Sequence, residues 1–279
     1  LFRSVNFIAQ QEFRKALFGS THIYGRNQEG SDFDKINSQN LREFFTNHYK
    51  GRAFKIITSG CVNDKILFTI DSILGQLTIS EKIEKSVNYS IPEISNKKYT
   101  IPKPGAIQNA IRIGKTVCNR RHPDYTKLAV LNTILGGYFG SRLMRNLREE
   151  KGFTYGIGSG IIHLKNVSFI SIGTEVGSNV SQLALTEIYN EIESLRQELV
   201  PMDELNLVIN YMQGAFIRNI DGPFALSEML KNMIVHSLDY DYYYNYLAEL
   251  KMINPASIIK VAEKWINPVD MTEIIAGNL

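Results

Sequence analysis

Hydrophobic positions along the chain recur mostly at helical spacing, with a smaller number of short apolar or alternating runs. Leu41, Phe44, Phe45 and His48 follow Ser38, an expected N-cap, and the pattern stops near Tyr49-Lys50-Gly51. Residues 53–58 are an expected strand closed by Gly60, and Asn63 then caps a helix whose stripe is Ile66, Ile70, Ile73 and Leu74. From about 81 to 104 the periodicity fades into Lys, Ser, Asn and the prolines Pro92 and Pro102, which reads as an extended linker. Beyond it, residues 106–113 alternate as a half-buried strand should, with Ile107, Ile111 and Ile113 on one face. His122-Pro123-Asp124 introduces a helix bearing Leu128, Leu131, Ile134 and Leu135, which ends at Gly136-Gly137. A second helix from about Ser141 buries Leu143 and Leu147 and stops at Lys151-Gly152. Strands over 154–163 and 167–175 are joined by Leu164-Lys165-Asn166 as a hairpin. The remainder predicts a helix from Ser178 with Leu185, Ile188, Ile192 and Leu195 on one face, and another after Pro201. Further helices are expected near Pro223, Asp239 and Asn254, then a last strand over 271–275.

One order of elements occurs twice. Helix, aromatic, polar turn, apolar strand and glycine run over 41–60 and again over 258–277, with Trp265 where Tyr49 stands, at an offset of 216 residues allowing one residue of slippage. The repeat implies the tail of one unit and the whole of a second. Residues 1–85 are therefore expected to be the C-terminal part of a first domain, 86–103 a linker and 104–279 the second domain. Equal, domain-like sizes for both units would place about 100 further residues before Leu1.

Composition narrows the function classes. The chain has 279 residues, 44% hydrophobic and 21% charged, which fits a globular protein and neither a disordered nor a fibrous one. Lys and Arg number 31 against 28 Asp and Glu, and they are scattered, so no nucleic-acid surface is indicated. Cys61 and Cys118 are the two cysteines, so neither a CxxC motif nor a disulfide framework exists. Apolar runs fall short of the roughly 18 residues of a membrane span. None of this fixes a compartment.

The densest candidate cluster lies around Gly136, Gly137 and Gly140 and continues to Gly156. No Walker loop occurs, and Gly156-Ile157-Gly158-Ser159-Gly160 opens no helix, so no nucleotide site is expected. Arg148 near a helix end and Tyr155 at the start of a strand flank the chain reversal at Gly152 and could converge. Together they would offer donors to a carboxylate or to a carbonyl oxygen gaining charge. Helix-dipole compensation and strand preference alone would also account for them. The basic stretch Asn119-Arg120-Arg121-His122 reads as a solvated turn, and the tyrosines between 240 and 246 as a half-buried helix face.

The run LGGYFGSRLMRNLREEKGFTYGIGS over 135–159, Lys103-Pro104 with Gln108, the Ile-Arg-Ile-Gly of 111–114 and Thr21-His22-Ile23-Tyr24-Gly25-Arg26 together resemble the insulinase/pitrilysin family of inverted-motif zinc metallopeptidases. Ile23 stands where that family's HPYGR stretch usually has Pro. The resemblance spans nearly the whole chain. It implies an α+β fold of two related domains, each a mainly antiparallel sheet with packed helices, the processing-peptidase-like metallohydrolase fold, with the first domain incomplete. It also implies that Arg148 and Tyr155, with the family's seven-residue spacing, hold the substrate backbone near a metal. The family's H-x-x-E-H zinc motif is absent. The five histidines are His22, His48, His122, His163 and His236, no two of them four apart, and read as surface or turn residues.

Two functions are therefore expected of such a chain. It is a fragment of a zinc endopeptidase or oligopeptidase that supplies the substrate-gripping half of a peptide-hydrolysis chamber, with zinc held only by the intact parent and the chain alone inactive. Alternatively, it belongs to a non-catalytic family subunit that binds or assembles with an active peptidase. The expected partners are a peptide or unfolded polypeptide, the metal-bearing segment missing from the chain or a related subunit, and no nucleic acid, with a homo- or heterodimer open.

Overall fold

The computed structural model describes residues 4–49, 54–76 and 97–278. Local capping chemistry sets most helix starts. The Ser4 hydroxyl accepts the Phe7 N–H to open α1 (Val5–Phe18), and α2 (Gly30–Asp34) is a short turn of helix. Asn37, not Ser38, caps α3 (Ser38–His48), in a reciprocal box with Asn40, and Asn63 caps α4 (Asp64–Leu74) as expected. Residues 54–58 carry no strand, whereas β1 (Lys98–Pro102) forms where the sequence reads as an extended connection. Residue 53 of the expected strand, and residues 81–96 of that expected connection, lie outside the described residues.

β2 (Gln108–Val117) starts two residues later than expected, which leaves Ile107 exposed while Ile111 and Ile113 are buried. α5 (Tyr125–Asn132) runs into a wide π-type turn at Thr133–Gly137. A second π-type turn, Met144–Glu150, precedes Gly152, whose φ of 63° is the left-handed conformation that reverses the chain. The hairpin of β3 (Thr154–His163) and β4 (Ser168–Gly177) follows, then α6 (Ser181–Gln197) and α7 (Met202–Arg218). α8 (Gly222–His236), α9 (Tyr240–Met252, capped by Asp239), α10 (Pro255–Trp265, capped by Asn254) and β5 (Thr272–Gly277) complete the chain.

The described residues divide into two compact units. One is drawn from Leu1–Asn27, Ser90–Phe216 and Leu238–Leu279 and is an α+β fold around a mixed five-stranded sheet of order β1-β5-β2-β4-β3. β1 pairs parallel to β5, and the other pairs are antiparallel. Because side chains alternate across a strand, the sheet buries two distinct sets. Ile111, Ile113, Ile170 and Ile172 join Leu128 of α5, Ile188 and Ile192 of α6 and Ile258 of α10 in the main core. Ala110, Phe169, Ile274 and Ala276 meet Ala9, Phe13 and Phe18 of α1 on the other face. Phe13 and Phe18 are almost wholly buried, each worth roughly 1.5–3 kcal/mol of apolar burial. The second unit is drawn from Gln28–Tyr89 and Ile217–Ser237. None of its described residues between 28 and 76 is buried.

Candidate functional site

Period-two alternation sends Arg112, between the buried Ile111 and Ile113, to the sheet face that carries α1. Its partner in β4 is Gly173. A Cβ on Gly173 would lie 2.0 Å from Arg112 Nη1, so the guanidinium can lie across β4 only because that position is glycine. Arg112 Nη2 donates to Asn6 Oδ1 at 2.5 Å, and Asn6 Nδ2 donates to Glu175 Oε1 at 2.8 Å. One amide from the first turn of α1 thus bridges a cation on β2 and a carboxylate on β4. Burial pushes the Arg112 guanidinium below its ordinary value, and the charge of Glu175 partly offsets this.

Tyr155 is placed by a β-bulge. Thr154 lies opposite Val176 and Ile157 opposite Thr174, so Tyr155 and Gly156 together face the single position of Glu175. Hydroxyls pin the bulge: Thr154 Oγ1 donates to the Glu175 carbonyl at 2.8 Å and accepts from the Gly156 N–H at 3.1 Å and from the Thr174 hydroxyl at 2.9 Å. The Tyr155 side chain is consequently 93% exposed. With Asn6, Gln108, Arg112 and Glu175 it lines an open pocket of about 310 Å³ over Gly173.

Arg148 sits in the second π-type turn, exposed, with its guanidinium carbon 4.9 Å from the centre of the Phe139 ring. It does not line the Tyr155 pocket. Both residues singled out from the sequence therefore face solvent, one stacked on an aromatic ring and the other at the rim of a polar pocket. Arg112, Asn6, Gly173 and Glu175 were not singled out. The signal available was an arginine inside an alternating apolar strand, Ile111-Arg112-Ile113.

The histidines are engaged locally. His22 Nδ1 accepts the Tyr24 N–H, and its ring stacks on Phe18. His122 Nδ1 accepts the Asp124 N–H, and His163 bridges the Tyr125 and Ser168 hydroxyls. His48 packs on Phe44. Among the described residues no three His, Cys, Asp or Glu side chains are grouped to hold a metal ion, so the residues present do not fit a zinc site.

Fold and site together define an α+β domain with a mixed five-stranded sheet, an ion-bridged polar pocket on one sheet face and, among its described residues, no metal-ligand cluster. The model of the peptidase M16 inactive domain matches residues 35–212, and the chain belongs to that family, the insulinase family whose resemblance the 135–159 run carries. It is 24% identical over 220 residues to the uncharacterized zinc protease YmxG of Bacillus subtilis, covering 78% of this chain and 52% of that protein. It is also 24% identical over 260 residues to the probable inactive metalloprotease YmfF of the same organism, covering 90% of this chain and 58% of that one. The chain thus spans a little over half the length of these relatives. Among solved structures, the peptidase M16 inactive domain from Pseudomonas fluorescens superposes with a TM-score of 0.80 at 20% identity, over 99% of this chain and 66% of that one. A protease from Helicobacter pylori superposes with a TM-score of 0.85 at 17% identity, over 98% and 68%. At these identities the likeness is one of fold.

Proposed function

We propose that the chain is the non-metal, substrate-gripping part of a zinc peptidase of the M16 family, comprising a second domain and the closing portion of a related first domain. Tyr155 and Arg148 contact the backbone of a bound peptide, and the metal and its bound water are supplied by residues outside this chain. The observation that carries this reading is the bulge at Tyr155: four hydrogen-bonding groups hold a phenol almost fully in solvent beside an open polar pocket. A large aromatic gains nothing from burial there, which suits a group kept for a ligand. The guanidinium of Arg148, stacked on Phe139, is likewise free to donate to a carbonyl oxygen that gains charge.

In the intact parent, Tyr155→Phe and Arg148→Ala are each expected to lower kcat/KM by at least tenfold at unchanged zinc content, the size of a lost transition-state hydrogen bond. Unchanged kinetics in both variants refutes the assignment. The second reading, a non-catalytic subunit that assists an active peptidase, is supported by the name of the relative YmfF, a probable inactive metalloprotease. A parent that carries H-x-x-E-H and copurifies with about one zinc supports the first reading. A parent without them supports the second.

A further inference from the structure

The pocket over Gly173 already holds one carboxamide, the chain's own. The Asn6 oxygen accepts from Arg112 Nη2 and its nitrogen donates to Glu175 Oε1, so the amide lies between a guanidinium and a carboxylate. Arg112 and Glu175 make no direct ion pair, because Asn6 separates them. Strand register brings the two charges to one face: Arg112 lies opposite Gly173, and Glu175 follows two residues later in β4, where side chains two apart point the same way.

This arrangement is only half used. Arg112 Nη1 and Glu175 Oε2 have no hydrogen-bond partner among the described residues, and Arg112 Nε is buried without one. Polar groups shielded from water in folded proteins are nearly always paired, so a donor and an acceptor left over beside a cavity mark a place for a ligand. Gly156 and Gly173 line the same cavity, and a Cβ on Gly156 would meet nothing within 4 Å, so the space beside the bulge is open. At about 310 Å³ the cavity suits a side chain better than a large molecule.

The chemistry of the two free groups selects among side chains. A carboxylate gains from Arg112 and loses to Glu175, and a cation does the reverse, so either sheds its water for little net attraction. An apolar side chain leaves the donor and the acceptor unpaired. A carboxamide accepts with its oxygen, donates with its nitrogen and has no charge to desolvate, as Asn6 does.

We propose that this pocket is a subsite for a glutamine or asparagine side chain of a bound peptide, its oxygen on Arg112 Nη1 and its nitrogen on Glu175 Oε2, with Arg112 and Glu175 as specificity-determining residues. The proposal rests on the reading of Tyr155 as a contact to the peptide backbone, and deepens it by naming the side chain selected. The bulge sets the phenol at the rim, so a peptide held there can drop one side chain over Gly173.

The test uses the full-length parent and short Ala/Gly peptides carrying a single Gln, Met, Glu or Lys at each position in turn; Met is close to Gln in size but lacks its hydrogen bonds. Fluorescence anisotropy reads binding and a quenched fluorophore reads cleavage, so the subsite is measured whether or not the parent hydrolyses peptides. At one position Gln is expected to bind at least about fivefold more tightly than Met, Glu or Lys, the effect of roughly one net hydrogen bond. Glu175→Gln, which replaces one oxygen by nitrogen, leaves the Arg112 charge unopposed and should shift the preference at that position to Glu. Arg112→Met should shift it to Lys, and the Glu175→Gln result stands by itself where Arg112→Met does not fold. The proposal is overturned if no position separates Gln from the other three, or if a Gln preference survives unchanged in the folded charge variants. The reading beneath it fails separately. A Gln preference that follows the charge variants, with Tyr155→Phe and Arg148→Ala unchanged in binding and kinetics, ends the backbone-contact reading and leaves the subsite standing.

Discussion

Gly173→Ala is the sharpest probe of the pocket. The added Cβ falls 2.0 Å from Arg112 Nη1, so the guanidinium must swing off β4 and release Asn6, which is then a poorer donor to Glu175. Hydrogen bonds to a charged group contribute about 1.5–3 kcal/mol, and removing a strand glycine returns about 0.5–1 kcal/mol. The net loss is about 1–2 kcal/mol, equivalent to a fall of roughly 2–8 °C in Tm for a protein of this size. Thermal and urea unfolding, followed by far-UV circular dichroism and by emission from Trp265, the single tryptophan, measures it directly. The decisive comparison is a double-mutant cycle with Arg112→Ala. With the arginine gone, Gly173→Ala is expected to be neutral or to stabilise by about 0.5 kcal/mol, giving a coupling of about 1–2.5 kcal/mol. A cost for Gly173→Ala that is the same in both backgrounds would refute the account, because the clash would then lie with the backbone of the sheet.

Other outcomes follow from single sites. Burial alone would raise the Asp124 carboxyl, but hydrogen bonds from Lys264 and Trp265, with the charges of Lys264 and His122, hold it below the ordinary carboxylate value. Its stabilisation is therefore present above about pH 4 and lost as pH falls below that. Asp124→Asn should flatten the dependence of the urea midpoint between pH 5 and pH 2.5, and an unaltered slope would show that the carboxylate contributes nothing. Burial pushes the Cys118 thiol up to about 11, and Cys61 is exposed. Ellman's reagent at pH 8 should titrate one thiol in the folded chain and two in denaturant, and two fast thiols would contradict the packing around Cys118. Gly152→Ala, at a φ of 63°, should cost about 1 kcal/mol, and a variant as stable as the parent would mean that the chain reversal does not need the left-handed conformation.

Helices were legible in the sequence wherever a cap and a stripe coincided. Asn63, Asp239 and Asn254 cap the helices expected of them, and Leu185, Ile188, Ile192 and Leu195 are all buried along α6. Strands were less legible, because a strand exists only with a partner. β1 lies between prolines in a polar stretch and owes its form to β5, some 170 residues later, through the Lys98–Glu273 register. The apolar run over 54–58 resembles β5 in pattern but has no strand form, and no ladder pairs with it among the described residues. The site was legible only in part. Tyr155 could be singled out by motif, but its direction depends on a bulge set by Thr154 and Thr174, a property of hydroxyls facing each other across two strands. Arg112 belongs to the Ile-Arg-Ile-Gly stretch that carries the resemblance, but its place in the pocket could not be read there, because the glycine opposite it is 61 positions away (173 − 112).

The threonine pair has one more consequence. Valine at 154 and 174 would nearly match the shape of the native side chains and leave the surface area almost unchanged, yet it would remove the hydroxyls that keep two residues of β3 opposite one of β4. Freed of them, the outer strand could slide by one place, and a slide of one place in a pleated ribbon turns every inward side chain outward. Ile157 would then leave the interior, and the glycines beside it would take its place. Two small polar groups at the sheet margin therefore guard the alignment of an entire ten-residue strand, and through it the orientation of the ring at position 155.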